Sequence, residues 1–178
     1  MNRPLRIAAS SLFLLPALIA IAAPALAQSL SAVPRLDPNQ LQGSYYVIAR
    51  YPIKREKLCL GKELVLFALG DKKRSIQMVT SCQVKSDNTN AWNASGKLSK
   101  AGDGKIKLGW IWPFTTRYWI LDLAPDASWA LAANPNRKSL WILSRSAAMS
   151  PDVLANIEST ASAQGFRTAK LVQINQTP

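Results

Sequence analysis

The chain has 178 residues, of which 48% are hydrophobic, with 22 Lys and Arg against 10 Asp and Glu, a formal charge of +12. That apolar share excludes a wholly disordered chain, and the length suffices for one domain with a sizeable core. The absence of His excludes His-based nucleophilic triads and His-ligated metal sites.

Residues 1–27 read as a secretory signal. Arg3 and Arg6 form the positive start, Ser11 to Ala23 is almost continuously apolar, and Ala25-Leu26-Ala27 is a small-x-small cleavage site. As a membrane anchor the apolar run is short, and Pro16 and Pro24 break it. Cleavage after Ala27 leaves 28–178 as one exported domain, periplasmic or secreted, with no Cys near the cleavage site to carry a lipoprotein anchor. Two of the basic residues leave with the segment, so the mature charge is +10. Such a surface is either simply solvated or drawn to an anionic membrane face; export argues against nucleic acid as the partner. Cys59 and Cys82 are the only cysteines. In an exported protein an even pair reads most simply as a disulfide, contributing about 3 kcal/mol by closing its loop.

In chain order, Gln28 to Pro34 is expected to be a flexible lead. Asp37-Pro38 starts a short helical turn that ends at Gly43. Strands follow at Ser44 to Tyr51, Glu63 to Leu69, Ser75 to Val84, Ala91 to Leu98, and Lys105 to about Trp110. Lys72-Lys73-Arg74 and Ala101-Gly102-Asp103-Gly104 are hairpin turns. Pro113-Phe114-Thr115-Thr116 is expected to interrupt the pattern. Three more strands then run over Arg117 to Leu123, Ser128 to Ala132 and Ser139 to Arg145, rich in aromatic and branched residues. Eight strands with short connections predict an all-β fold, an antiparallel up-and-down barrel whose interior can hold one small ligand. After Arg145 the period changes. Ser150 caps a helix, Pro151 opens it, Asp152 meets its dipole and Gly165 ends it. Val153, Leu154, Ile157 and Ala161 share one face, so this helix packs on the outside of the barrel. Ala169 to Ile174 reads as a last strand.

Gly43-Ser44-Tyr45-Tyr46-Val47-Ile48-Ala49-Arg50 resembles the first lipocalin motif, Gly-x-Trp-Tyr-x-Ile-Ala-Arg. The stretches 113–122 and 134–145 resemble the central and last barrel strands of bacterial, apolipoprotein-D-like lipocalins of the outer-membrane subgroup. The helix and Gly165-Phe166 onward are similar as well, so the resemblance covers essentially all of 28–178. It implies a barrel-closing motif of Gly43, Tyr45 and Arg145, with the arginine over the ring by cation–π contact. Tyr45 stands where the family has Trp, a smaller face for that contact. The family's Thr-Asp-Tyr turn is replaced by Ala124-Pro125-Asp126, which removes the basis for a receptor-docking role there.

Strand alternation then assigns faces. Trp141 and Leu143 share parity with Arg145 and point inward, and the resemblance places Tyr118, Ile120, Phe67, Met78 and Thr80 inward. Ala130 and Ala132 face the same space, and their small size leaves room. These nine residues are the expected ligand-binding set, an apolar and aromatic lining with a few hydroxyls that suits an acyl chain. Plain core packing is the competing role for each. Trp119, Leu121, Leu140 and Ile142 point outward. Trp110, Trp112 and Phe114 form an apolar loop that the family places at the barrel mouth, where it would touch a membrane or a partner subunit.

No carboxylate pair reads as a hydrolytic dyad, Asp122 and Asp126 read as turn residues, and Gly-rich phosphate loops are missing, so no catalysis, cofactor or metal is expected. The resemblance implies non-enzymatic binding and transport or storage of a fatty acid or lysophospholipid in the cell envelope, by a monomer or homodimer. The competing reading is an envelope or host-facing interaction or inhibitor protein whose barrel is filled by its own side chains. A lipocalin-fold enzyme would need an ionisable group inside the pocket.

Overall fold

Alternating apolar and polar residues from Gly43 onward become strands in the computed structural model, which describes residues 29–54, 58–85, 88–111 and 113–176. The elements are α1 (Pro38–Leu41), β1 (Gly43–Arg50), β2 (Gly61–Leu69), β3 (Ser75–Lys85), β4 (Asn88–Leu98), β5 (Lys105–Ile111), β6 (Phe114–Leu123), β7 (Trp129–Ala133), β8 (Leu140–Ser144), α2 (Pro151–Ala163) and β9 (Val172–Gln173). Strands β1 to β8 pair antiparallel in sequence order, and β8 pairs back with β1, which closes the barrel. The predicted eight-stranded barrel is the fold. Closure leaves no long unpaired edge, the hazard of any open meander.

Two apolar layers follow from the period of two. Residues of one parity meet inside, among them Tyr45, Phe67, Tyr118, Ile120, Trp141 and Leu143. Residues of the other parity on β6 to β8, Leu121, Leu131, Leu140 and Ile142, form an outer cluster with Ile157 and Ala161 of α2 and with Phe166. Burying Ile157 alone contributes about 1.5–3 kcal/mol. Ser150 Oγ accepts from Val153 N–H and Gly165 takes a φ of +81° at the far end, so α2 starts and stops as its sequence dictates.

Four local expectations are corrected. Phe114-Thr115-Thr116 does not interrupt the sheet; it opens β6, because Thr115 and Thr116 pair with Gly109 and Leu108. Asp122 is not a turn residue but lies within β6, its carboxylate accepting from Leu123 N–H, whereas Asp126 does cap its turn through Ser128 N–H. The lead is pinned: Val33 N–H donates to Ile120 O, Val33 O accepts from Gly104 N–H, and Leu36 is buried under the barrel floor. Finally, residues 168–170 form a 3-10 turn, and the last strand shrinks to the two residues of β9.

The reason for that short strand lies in how the barrel closes. β1 and β2 pair over four residues only, Gly43 to Tyr46 against Leu64 to Phe67. Beyond that point they separate, and the C-terminal segment is spliced between them. β9 pairs with Ala49 and Arg50, Ile174 N–H donates to Ile48 O, and Asn175 O accepts from Lys62 N–H. The Gln176 amide donates to Val47 O and Glu63 O, which satisfies carbonyls the splayed strands leave open. Gly61 takes a φ of +147° where Asn175 O comes so close that a Cβ would collide with it.

β1 also carries a bulge. Val47 pairs with Leu143 but Ala49 with Ile142, so Ile48 is the extra residue. Tyr45 and Val47 therefore face in, while Ile48 and Ala49 both join the outer cluster. The next residue, Arg50, is buried. It grips Glu63 of β2 with two bonds of 2.6 Å, Nε to Oε2 and Nη2 to Oε1. Glu63 shares parity with the inward Val65 and Phe67, so this bidentate pair lies on the interior side of the wall.

At the floor, Arg145 gathers the chain ends. Its guanidinium donates to the carbonyls of Gln40, Gln42 and Ser44, and Nε to that of Ala127. Its Cζ lies 3.7 Å from the centre of the Tyr45 ring. A cation there meets carbonyls that α1 leaves unpaired at its C-terminus. Gly43 has a φ of +108°, and a Cβ on it would lie 2.7 Å from Arg145 Nη1, so the motif's glycine makes room for its arginine. Burial pushes the Tyr45 phenol above its usual 10.0, against the opposing pull of Arg145. Burial does the same to Tyr51, whose hydroxyl donates to Arg167 O.

Arg145→Leu is expected to lower the unfolding free energy by about 2–3 kcal/mol, the scale of one charge-assisted bond plus a cation–π contact, as read from urea denaturation. Raised phenol values mean that the folded state holds those protons more tightly. Stability from Tyr45 and Tyr51 is therefore complete below pH 10 and lost as the pH rises through their folded values. Phenolate absorbance of the native protein is expected to lag that of the denatured protein, with one late phenol missing in Tyr45→Phe. Arg50→Met is expected to cost about 3–5 kcal/mol by leaving Glu63 charged and alone, with much of the loss recovered in Arg50→Met/Glu63→Leu.

Candidate ligand-binding site

The barrel interior is divided. Its floor half is filled by side chains; its mouth half holds a partly enclosed cavity of about 210 Å³. The mouth is the end of the barrel at which residues 51–54, 58–60 and 134–139 and Pro113 lie. Among the described residues ten line the cavity, and Met78, Thr80, Tyr118 and Trp141 of the expected set are among them. Ile53, Val65, Leu108, Thr116, Asn134 and Ser139 complete the wall.

Phe67, Ile120, Ala130, Ala132 and Leu143 point inward but do not line the cavity. The cause is the aromatic filling. The Tyr45 and Phe67 rings meet edge-on at 6.1 Å, Phe67 reaches Tyr118 at 6.1 Å, and Tyr118 reaches Trp141 at 5.2 Å. This column occupies the space that the small Ala130 and Ala132 leave, so both alanines are fully buried packing positions. Small residues on β7 admit large ones from the facing wall, as close packing requires.

The missed lining residues carried partial signals. Val65 shares the parity of Phe67, and Thr116 that of Tyr118, so alternation could have found both. Asn134 and Ser139 flank the β7–β8 turn and were invisible to a strand argument. They matter because they make the mouth polar. With Thr80 and Thr116 they supply hydroxyls and an amide above an apolar base. Asn134 lines the cavity, and its Oδ1 is buried without a hydrogen-bond partner among the described residues. Its turn is held rigid: Arg137 N–H donates to Asn134 O, and Arg137 Nε donates 3.0 Å to Gln164 O at the end of α2.

The interior does contain ionisable groups that sequence reasoning did not find. Arg50 and Glu63 lie buried, but they bind each other and neither lines the cavity. Among the described residues, no three His, Cys, Asp or Glu side chains gather in a way that could hold a metal. The Cys59–Cys82 disulfide is formed, with Cα atoms 5.5 Å apart, and ties the β1–β2 connection to β3. Of the expected mouth loop, Phe114 is 75% exposed; the Trp110 side chain and all of Trp112 lie outside the described residues. Leu58 and Leu60 are likewise exposed on the loop between β1 and β2. The basic run from Lys54 falls, after that residue, outside the described residues, as does the segment 1–28.

Comparison with known proteins agrees with this geometry. The Lipocalin-like domain family profile matches residues 36–176. The chain is 27% identical over 177 residues to "Outer membrane lipoprotein Blc" of Escherichia coli strain K12, covering 97% of this chain and 96% of that protein. It is 26% identical to the protein of the same name from Citrobacter freundii, over 89% of both chains. Temperature-induced lipocalin-1 of Arabidopsis thaliana is 33% identical over 85 residues, 44% of this chain and 46% of that protein. Among solved structures, insecticyanin from the tobacco hornworm Manduca sexta superposes with a TM-score of 0.64 at 18% identity, covering 87% of this chain and 88% of that one. The cockroach allergen Per a 4 does so with 0.66 at 13% identity, covering 83% and 92%; at such identities these likenesses concern the fold. With a closed eight-stranded barrel, an outer helix and a family match over most of its length, the chain belongs to the lipocalins, a family that typically binds small hydrophobic ligands.

Proposed function

We propose that this lipocalin carries an amphipathic lipid of the fatty-acid or lysophospholipid class in the mouth-half cavity, as a non-enzymatic binding protein of the cell envelope. The observation that carries the reading is the composition of that cavity. Met78, Val65, Leu108, Tyr118 and Trp141 offer an apolar base, and Thr80, Thr116, Asn134 and Ser139 a polar rim. A tail entering the base leaves water at about 0.8 kcal/mol per methylene, and the head stays where hydroxyls and the unpartnered Asn134 oxygen lie. An acceptor of that kind favours heads that present a donor, such as a glycerol hydroxyl, over a bare carboxylate. The volume, about 210 Å³, lies below the roughly 300–1,000 Å³ of sites for drug-sized ligands, so the cavity suits a short tail. Residues 1–27 would direct export. The disulfide suits an oxidising compartment, and the relatives named outer membrane lipoproteins support an envelope location.

A second reading, an interaction protein with a filled barrel, draws on the packed floor half. The two separate on ligand content. Native mass spectrometry of the exported protein is expected to show bound lipid and a mature chain beginning at Gln28. A fluorescent fatty acid should bind and be displaced by lysophospholipid; an empty protein that binds neither leaves only the filled-barrel reading. Leu108→Trp, which fills the cavity from β5, is expected to weaken binding at least tenfold with the barrel still folded. Asn134→Ala removes a buried unpaired acceptor, whose burial costs about 1–3 kcal/mol. It is expected to raise stability by about 1 kcal/mol while weakening lysophospholipid more than fatty acid.

A further inference from the structure

The outer face of β4, β5 and β6 carries a row of cations that the barrel does not neutralise. Lys97 pairs directly with Lys107, and Lys107 with Arg117. All three are exposed, and none has an ion-pair partner among the described residues. Strands lie about 4.8 Å apart, so the three charges fall within roughly 10 Å, close to one screening length at physiological salt. Like charges directly opposed weaken a sheet, so packing within the barrel gives no reason for the row. A groove of about 420 Å³ runs over it, lined also by Arg74, Lys100 and Lys105 and, among the described residues, by no acid. The neighbouring Asp103 is already engaged, 2.6 Å from Lys105 Nζ.

We infer that this wall is a docking surface for an anionic lipid bilayer, with headgroup phosphates set against the Lys97–Lys107–Arg117 row. Charge complementarity identifies the partner as anionic, and the aromatic residue at the site identifies the kind. Trp119 is half-buried, and Lys105 Nζ lies 5.2 Å over its ring. A covered ring gives no stacking platform for a nucleobase. An indole edge among lysine stems is instead the amphipathic combination found at bilayer interfaces. The row sits level with Leu108 and Tyr118, on the side of the barrel and below the mouth, so docking leaves the cavity entrance uncovered. The surface does not depend on a cavity ligand, and the carrier reading and this one fail separately.

The test is co-sedimentation of the mature protein with phosphatidylcholine vesicles, with and without phosphatidylglycerol. One surface cation is worth about fivefold in partitioning. The triple variant K97Q/K107Q/R117Q is therefore expected to bind phosphatidylglycerol vesicles about a hundredfold more weakly. Its thermal midpoint should be equal to or above that of the parent, because repulsion within the sheet is relieved. K85Q/K138Q/K170Q removes the same charge from exposed sites elsewhere and is expected to lose less than tenfold. Equal losses in the two triples would reduce the effect to net charge and overturn the proposal. So would equal binding of the parent to neutral and anionic vesicles, or retention of the parent by duplex DNA in preference to anionic vesicles.

Discussion

Everything in this barrel hangs on the contact between Arg145 and the floor. The first strand of a closed sheet has to meet the last, and here it does so beside a short helix whose terminal carbonyls face one another with no strand to pair them. A planar cation with five donors resolves that geometry, satisfying the carbonyls of Gln40, Gln42 and Ser44 while resting on Tyr45. A lysine would bring the charge but not the fork. The tyrosine is smaller than the tryptophan of the family motif, yet Arg145 Cζ still comes within 3.7 Å of its ring centre. Its hydroxyl adds a weak bond to Gln40 O that an apolar ring could not make.

From the floor upward the interior changes character by degrees. The aromatic column from Tyr45 through Phe67 and Tyr118 to Trp141 is continuous, so the solid base of the barrel and the wall of the cavity are parts of one packed object. The alanines of β7 belong to that base. Above them the side chains become shorter and more polar, and the walls no longer fill the space. The cavity is what remains where four threonine, serine and asparagine side chains replace rings and aliphatic chains. The outer layer is organised separately: α2 covers β6 to β8, while β4 to β6 present lysine and arginine to solvent.

How much of this could be read from residues alone depended on whether the pattern was local. Alternation on 118–121 and 140–143 placed Tyr118, Ile120, Trp141 and Leu143 inside and Trp119, Leu121, Leu140 and Ile142 outside, and the two clusters divide the same way. The helix caps at Ser150 and Gly165 were equally legible, because a cap is a matter of a few adjacent residues. Non-local events were not. The lead is pinned by Ile120 and Gly104, more than sixty residues away along the chain. The last strand is shortened by a gap between β1 and β2 that no window of sequence shows. Arg50 and Glu63 each look like surface charges, and only the bulge at Ile48 turns the arginine toward its partner. Within the cavity, strand residues were accessible to parity and the turn residues Asn134 and Ser139 were not.

That bulge bears on which changes of length the chain can survive. One inserted residue lets β1 serve both layers, giving Tyr45 and Val47 to the interior and Ile48, Ala49 and Tyr51 to the layer under α2. Flattening the bulge with the residue kept would reverse the facing of every residue on the mouth side, turning the Arg50 guanidinium beneath the helix and Tyr51 inward. Substitutions along β1 can be graded, since Val for Ile or Phe for Tyr costs only part of a contact. A change of length is different in kind: removing Ile48 leaves Val47, Ala49 and Arg50 opposite Leu143, Ile142 and Trp141 in regular alternation, whereas one more residue would exchange a charge for a ring beyond it. Among descendants of this chain, a residue should thus be lost between Tyr45 and Tyr51 more readily than one is gained.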